Sequence, residues 1–502
     1  MIDVETEATR SILPPLLFLL PILGAILTVP LQRISSRARD IGLAVICAAV
    51  AALALVLVAG TANGATYETW LLRLTPDIWM YFNVETMGAL FGATVAVLWL
   101  LALIYSWGYM ADGHRPARYY AFFMLCLGWT MGLAYAGNLL TFLIFYELFS
   151  ILTYPLVVHE ETPEAMAAGT KYIIYILIGG TLVLLAIVLT FFAVGDQTLT
   201  TGGILTADMG TTRLLAIFWC FMVGFGVKAA LVPLHGWVPD AHPAAPAPFS
   251  AVLSGVMVAA GSFGMMRVVF QVFGVELLRE LDVMRYLTWI AAFTVIFAAM
   301  LAVNQDDLKR RLAYSTISQM AYVVLGLSLL NVEATVGALV HITNHAFMKG
   351  ALFLCAGLFI KRLGVRRVSQ LDGAAKRMPV TAAAFALATL AMIGTPPLSG
   401  FVSKWYLGLG MLESDKPLLL IVLLGAALLA GIYLLPIVYR MYFREPILTA
   451  DDKIAIEGRE APASMLVPLV ITSLLTVALG LGAALPWMPA ALARMAAEAF
   501  FH

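Results

Sequence analysis

Long apolar runs alternate with short polar ones along the whole chain, and that rhythm predicts its architecture. Runs long enough to cross a bilayer, roughly 17–25 residues each, fall at 11–29, 41–60, 84–107, 119–136, 137–158, 169–195, 213–233, 248–272, 284–303, 311–330, 334–360, 379–410, 417–439 and 463–484. They predict an all-α polytopic membrane protein with fourteen transmembrane helices and no inserted soluble domain. Two runs are interrupted. The seventh leads into VGFGVKAALVPLHGWVPDAHPAAPAP, where Pro233 follows Lys228 and removes a backbone donor, so the helix is expected to break beside the lysine. His235 lies just beyond, in the same break. The twelfth reads MIGTPPLSGFVSKWYLG and sets Gly394, Pro396, Pro397 and Gly400 ahead of Lys404. Irregular backbone at membrane depth is tolerated only where protein buries it or it lines a cavity, and discontinuous helices mark transporter sites. The breaks lie five spans apart, which suggests two five-helix units, inverted because five is odd. The chain then divides into residues 1–110 (helices one to three), 111–272 (first repeat), 273–445 (second repeat) and 446–502 (last helix and tail).

Composition sharpens this picture. Hydrophobic residues make up 62% of the chain and DEKR only 12%, against about 25% charged in soluble domains. Net charge is zero, which argues against a nucleic-acid partner. Cys47, Cys126, Cys220 and Cys355 lie singly in apolar runs without any CxxC, so neither an iron–sulfur cluster nor a disulfide framework is expected. The opening MIDVETEATR is acidic and lacks a signal-peptide n-region, so the first run is expected to remain as a helix. Of the 30 Lys and Arg residues, 19 fall in odd-numbered connections and 7 in the even connections and termini. Positive charge collects on the cytoplasmic side, which places both termini outside a cell inner membrane. Four basic residues remain inside spans: Lys228, Arg267, Lys349 and Lys404. Arg267 is near a span end and is expected to snorkel.

Charges inside the membrane carry the candidate chemistry. Glu147, in the middle of the fifth run, needs a partner or a proton, and Lys228 two spans later is the natural partner. The pair either exchanges a proton or is a static ion pair that fixes helix packing. In HITNHAFMKG, His341, His345 and Lys349 recur every four residues and share one helix face, with Asn344 adjacent. An HxxxH pair can ligate zinc. Here no carboxylate or cysteine accompanies it and a lysine lies one turn away, so a proton relay fits better than a metal. Buried histidines satisfied by backbone carbonyls are the structural alternative. No cofactor is expected.

The segments FYELFSILTYPLV, GVKAALVPLHGWVPDAHPAAP, NHAFMKGALFLCAG and GTPPLSGFVSKWYL resemble the antiporter-like subunits shared by respiratory complex I, membrane-bound hydrogenases and Mrp-type cation/proton antiporters. The likeness covers about residues 84–440 and is strongest toward the D subunit of Mrp antiporters, through MPVTAAAFALATLAMIGTPPLSGFVSKWYL. It implies two inverted five-helix repeats with helices seven and twelve broken, and a central polar axis carrying protons. Glu147 and Lys228 would form the first half-channel, His345 and Lys349 the connecting element, and Lys404 the end of the second. Three functions follow: exchange of protons for a cation such as Na+, proton pumping in a redox-driven complex, or a non-pumping structural role. Each implies other membrane subunits as partners. One departure matters. Where relatives carry a lysine in a GLLTKVG-like motif of helix eight, this chain has GVMVAAG, with Ala259 at the lysine position and only Ser254 and Ser262 nearby. A hydrated gap beside Ala259 is the expected substitute. Glu85, where relatives often have aspartate, reads as a conservative change.

Overall fold

Polar residues flanking the apolar runs set where the helices begin. Ser35, Asn138, Thr162, Asp307 and Asn331 each accept the backbone N–H three residues on, which satisfies one of the donors a helix start leaves free. A computed structural model describes residues 9–74, 78–414, 416–445 and 460–501; most of the acidic opening and of the last odd-numbered connection lies outside these.

The helices are α1 (Leu13–Ile34), α2 (Ser36–Ala62), α3 (Thr86–Tyr109), α4 (Pro116–Ala134), α5 (Leu139–Val157), α6 (Pro163–Val194), α7 (Thr211–Lys228), α8 (Val238–Ala244), α9 (Ala247–Val252), α10 (Ala259–Arg267), α11 (Val275–Leu281), α12 (Met284–Val303), α13 (Leu308–Leu327), α14 (Val332–Leu363), α15 (Ala374–Arg377), α16 (Pro379–Ile393), α17 (Ser399–Glu413), α18 (Leu419–Phe443), α19 (Ala463–Leu481) and α20 (Pro489–Phe501). Among the described residues, ten helical stretches are long and apolar enough to span a membrane. The helices α4, α13, α14 and the broken pair α16 and α17 complete fourteen crossings. The protein is thus an all-α polytopic membrane protein. Helix eight is continuous from α9 to Phe273 but carries π-helical turns at Leu253–Met257 and Val268–Phe273, a feature that often marks functional positions. Helices α3, α9, α10, α13 and α14 form the buried centre.

A small sheet that periodicity did not predict lies between α2 and α3. Strand β1 (Thr9–Arg10) runs parallel to β2 (Tyr67–Arg73), which pairs antiparallel with β3 (Trp79–Val84). Trp70 stacks on Tyr81 at 4.1 Å, and Asn138 donates to the Trp79 carbonyl at 2.9 Å, which pins the sheet to the start of α5.

The connections rich in Lys and Arg lie together. Arg115 and Arg118 pair with Glu161, and Lys171 and Arg310 with Asp240. Lys361 reaches Asp112 at 3.4 Å, and Arg440 holds Asp372 at 2.8 Å. The hydrogen bond from Arg118 holds the exposed Glu161 carboxyl below the usual carboxylate range. Six odd-numbered connections are thereby stitched into one charged face. The opposite face carries the sheet, α11 and α20, where Arg494 bonds Glu333 at 2.8 Å.

Arg267 corrects the expectation that it snorkels. It is buried, and its guanidinium donates to Glu85 at 2.7 Å, Gln271 at 2.9 Å and the Ala134 carbonyl at 2.9 Å, while Gln271 donates to the other Glu85 oxygen. Gly88 makes the room, since a Cβ there would lie 2.7 Å from the Ala134 oxygen. Snorkelling is the choice of a long side chain without an internal partner, and Glu85 supplies one across 182 residues of sequence.

Two predictions follow from these contacts. Glu85→Ala leaves a buried guanidinium unpaired and should lower stability by about 3–5 kcal/mol, read as thermal unfolding in detergent; an unchanged midpoint contradicts the pairing. Cysteines placed at Arg362 and at Glu498 should react with an impermeant maleimide from opposite sides of sealed vesicles, and labelling of both from one side would refute the two-faced arrangement.

Candidate functional site

The first break begins where Lys228 ends α7. Ala230 takes a positive φ of 60° and Pro233 offers no donor, so the helix cannot continue through residues 229–237. The freed groups find partners inside the protein: Trp237 donates its indole N–H to the Val227 carbonyl at 2.8 Å, and the Val232 N–H reaches the Thr294 hydroxyl at 3.1 Å. His235 sits in this linker, half-buried, with its Nδ1 unpartnered by protein. Gly261 of α10 packs against the same break, where a Cβ would lie 2.4 Å from the Ala229 nitrogen.

Lys228 is fully buried. Its ammonium donates to the Tyr172 hydroxyl at 3.2 Å and the Ser150 hydroxyl at 3.3 Å and lies 4.2 Å over the Phe149 ring. Tyr172 in turn donates to the Ser150 carbonyl at 3.0 Å, so its oxygen is turned to accept from the lysine. Glu147 lies within electrostatic reach of Lys228 but makes no direct ion pair with it. The Glu147 Oε1 is buried without a protein partner and seats against Gly180 of α6, where a Cβ would fall 2.0 Å away.

The second break differs from the first in where its lysine lies. Gly394 ends α16 with φ of 98°, Pro396 and Pro397 fill the linker, and Lys404 sits on α17, after the break. Its ammonium turns back and donates to the Met392 and Ile393 carbonyls at 2.8 and 2.7 Å, capping the end of α16 where the helix dipole favours a cation. Asn344 donates to the Ser399 carbonyl at 2.7 Å and ties α14 to the start of α17.

Between the breaks runs α14. His341 shares a hydrogen bond of 2.9 Å with Ser403, and Lys349 donates to the Leu312 carbonyl at 3.1 Å. His345 lies between them, fully buried, facing the Gly255 backbone of helix eight without a hydrogen bond of good geometry at either ring nitrogen. The His341 and His345 rings are 6.0 Å apart, and Tyr322 stands edge-on to His341 at 5.7 Å with Lys404 over its own ring at 5.7 Å. Ala259 is fully enclosed. The structure thus brings His341, His345, Lys349 and Lys404 into one buried row and sets Lys228 and Glu147 at the other break.

Sequence reasoning missed several members. Tyr172 and Ser150 hold Lys228, and nothing in the one-dimensional pattern marks them. His242, in the short helix α8 after the first break, is fully buried and stacked on Phe353 at 4.9 Å with both ring nitrogens free of protein partners. Gln319 of α13 is likewise buried and unpartnered. Its signal was available as a polar side chain recurring with Ser315 and Tyr322 at helical spacing inside an apolar run. A mouth of about 830 Å³ opens on the charged face, lined by Glu160, Glu164, Lys171, Asp240 and Lys309 among others.

Fourteen crossings, two broken helices and a buried row of amines and imidazoles define a membrane subunit of the ion-translocating type. The chain belongs to the family described as NADH:quinone oxidoreductase/Mrp antiporter, transmembrane, which matches residues 136–430. It is 33% identical over 482 residues to NADH-quinone oxidoreductase subunit N of Desulforudis audaxviator (strain MP104C), covering 93% of this chain and 95% of that one. A chain in the structure of the membrane-bound sulfane sulfur reductase, an archaeal respiratory membrane complex, superposes with a TM-score of 0.83 at 25% identity, covering 98% of each. A chain of the Mrp complex from Dietzia sp. DQ12-45-1b gives a TM-score of 0.84 at 22% identity, covering 98% of this chain and 100% of that one, a likeness of fold.

The seat of Glu147 gives a direct test. Gly180→Ala should push the flexible Glu147 carboxylate out of its seat at a cost of about 0.5–1.5 kcal/mol, that of a side chain forced off its rotamer, and Glu147→Ala in the same chain should recover most of that loss. A double-mutant cycle on thermal stability reads the coupling, and additive effects would mean the carboxylate does not rest on Gly180.

Proposed function

We propose that the chain is a proton-translocating membrane subunit of a multisubunit complex. Protons pass between Glu147 and Lys228 in one half and along His345, His341 and Lys404 in the other, with Lys349 linking toward the charged face, which is cytoplasmic; both termini lie outside. His235, Pro233, Pro396, Pro397 and Asn344 shape the two breaks and orient the titrating groups. One observation carries this reading. The three lysines buried inside spans, Lys228, Lys349 and Lys404, bond hydroxyls and carbonyls rather than carboxylates. A buried ion pair that loses one charge strands the other at high cost. An ammonium held by neutral acceptors can shed its proton without breaking a direct ion pair, so such a site suits exchange better than a structural salt bridge does.

The driving force belongs to partner subunits. A redox-linked complex is favoured by the 33% identity to an NADH-quinone oxidoreductase subunit across 95% of its length. The second reading, exchange of protons for a monovalent cation such as Na+ in an Mrp-type antiporter, is favoured by the stretch from Met378 to Leu407 that closes on GTPPLSGFVSKWYL. Mass spectrometry of the purified native complex separates them: nickel or iron–sulfur subunits select the first, and small membrane proteins alone select the second.

Glu147→Gln keeps the size of the side chain and removes its charge. Proton flux in vesicles carrying the assembled Glu147→Gln complex should fall by roughly a hundredfold, within the range that a lost acid–base group costs. Full flux in an assembled complex would make Glu147 a packing residue and refute this half of the path.

A further inference from the structure

Helix eight offers no titratable group at Ala259, so the route from Lys228 to His345 needs another carrier. Two contacts fix how α13 faces α14. At one end Lys349 donates to the Leu312 carbonyl at 3.1 Å, and at the other Tyr322 meets the His341 ring at 5.7 Å. As the chain passes from 312 to 322 along α13 it passes from 349 to 341 along α14, so the helices run antiparallel. Between these anchors α13 turns Thr316 and Gln319 toward α14, because 312, 316, 319 and 322 share one helical face. From the other side α14 turns His345, which shares a face with 341 and 349.

Thr316 is already engaged. Its hydroxyl bonds the Leu312 carbonyl at 3.0 Å and Ser254 at 2.6 Å, the latter in the π-helical turn of helix eight, so this interval also borders that helix. Gln319 is not engaged. Its amide nitrogen and oxygen and Nε2 of His341 have no partner among the protein's own atoms, and the His345 ring faces the Gly255 backbone of helix eight without a hydrogen bond of good geometry at either nitrogen, although all three side chains are buried. A buried polar atom left unpaired costs about 1–3 kcal/mol, and native interiors hold few of them. The ordinary partner in such a place is internal water, which makes about three hydrogen bonds to polar walls.

We propose that Gln319 and His345 hold a cluster of buried water between α13 and α14, and that Gln319 is a positioning residue whose amide orders this water into the link past Ala259. A carboxamide offers two donors and an acceptor oxygen and does not titrate. It therefore orients water without trapping the proton, and His345 beside it is the group that takes the proton on and passes it to His341. The charge bordering the interval on α14 is Lys349, with Lys404 beyond Tyr322 and His242 a further titratable group within electrostatic reach of His345; the Lys228 ammonium lies among side chains of α5 and α6, and its backbone meets α10 at Gly261. The proposal rests on the transport reading above.

The test compares the intact complex with Gln319→Met and Gln319→His. Methionine matches glutamine in length and fills the same space, so a residue that only packs would leave flux unchanged. Under the proposal, proton flux in vesicles falls by roughly a hundredfold in Gln319→Met, a loss typical of a misplaced proton-transfer partner. Flux returns toward the parent value in Gln319→His, which again offers a donor and an acceptor. Parent-level flux in Gln319→Met overturns the proposal while leaving the transport reading intact, whereas a parent complex without flux overturns that reading. Should the variants fail to assemble, a cryo-EM map of the parent complex at a resolution that shows ordered water decides alone. Density joining the Gln319 amide to His345 supports the proposal, and a dry interval between them overturns it.

Discussion

Hydrocarbon cannot solvate a charge or an open backbone group, and everything unusual in this protein is arranged around that restriction. Both helix breaks expose backbone at membrane depth, and both place a lysine there. They solve the problem in opposite ways. Lys404 donates its charge to the open end of α16, so the cation and the unpaired carbonyls satisfy each other. Lys228 ends its own helix and is held by the hydroxyls of Tyr172 and Ser150 on neighbouring helices, while Trp237 covers the Val227 carbonyl. Lys228 depends on tertiary packing, and Lys404 on the helix end it caps.

Close approach of small residues makes these arrangements possible. Gly261 lets α10 lie on the Ala229 backbone, Gly400 accommodates the Ala391 carbonyl, and Gly480 of α19 rests on the second linker, where a Cβ would lie 2.1 Å from the Pro397 oxygen. Membrane helices associate through such contacts because lipid gives no hydrophobic drive between them. The breaks are therefore braced from outside, and the polar row runs through a tightly packed centre.

Much of this was legible in the chain, and the physical reason is plain. Span length is a one-dimensional quantity, so runs of apolar residues located the fourteen crossings, and Pro233, Pro396 and Pro397 located the breaks. A charge in an apolar run is equally conspicuous, which exposed Glu147, Lys228, Lys349 and Lys404. Partners were not legible. Arg267 meets Glu85 across 182 residues, and Lys228 meets Tyr172 across 56; neither separation leaves a periodic trace. Nor does the pattern show that the Glu147 carboxylate seats against Gly180 instead of bonding Lys228 directly. The sheet escaped notice because β2 and β3 are short and one irregularity near Trp70 and Leu72 spoils their alternation.

The two faces also differ in how their charges are exposed. On the Lys- and Arg-rich face, Arg115, Lys171, Arg310 and Lys376 are roughly half in contact with solvent, whereas the Arg267 guanidinium that meets Glu85 is almost wholly enclosed. Dissolved ions screen the first kind strongly and the second hardly at all, since the screening length shrinks from about 8 Å at physiological ionic strength to about 3 Å at 1 M. Concentrated salt therefore loosens the loops of one face from each other while the helix junction near the other stays locked. Ionic strength is in effect a dial on the exposed pairs, one that the enclosed Arg267–Glu85 junction hardly feels.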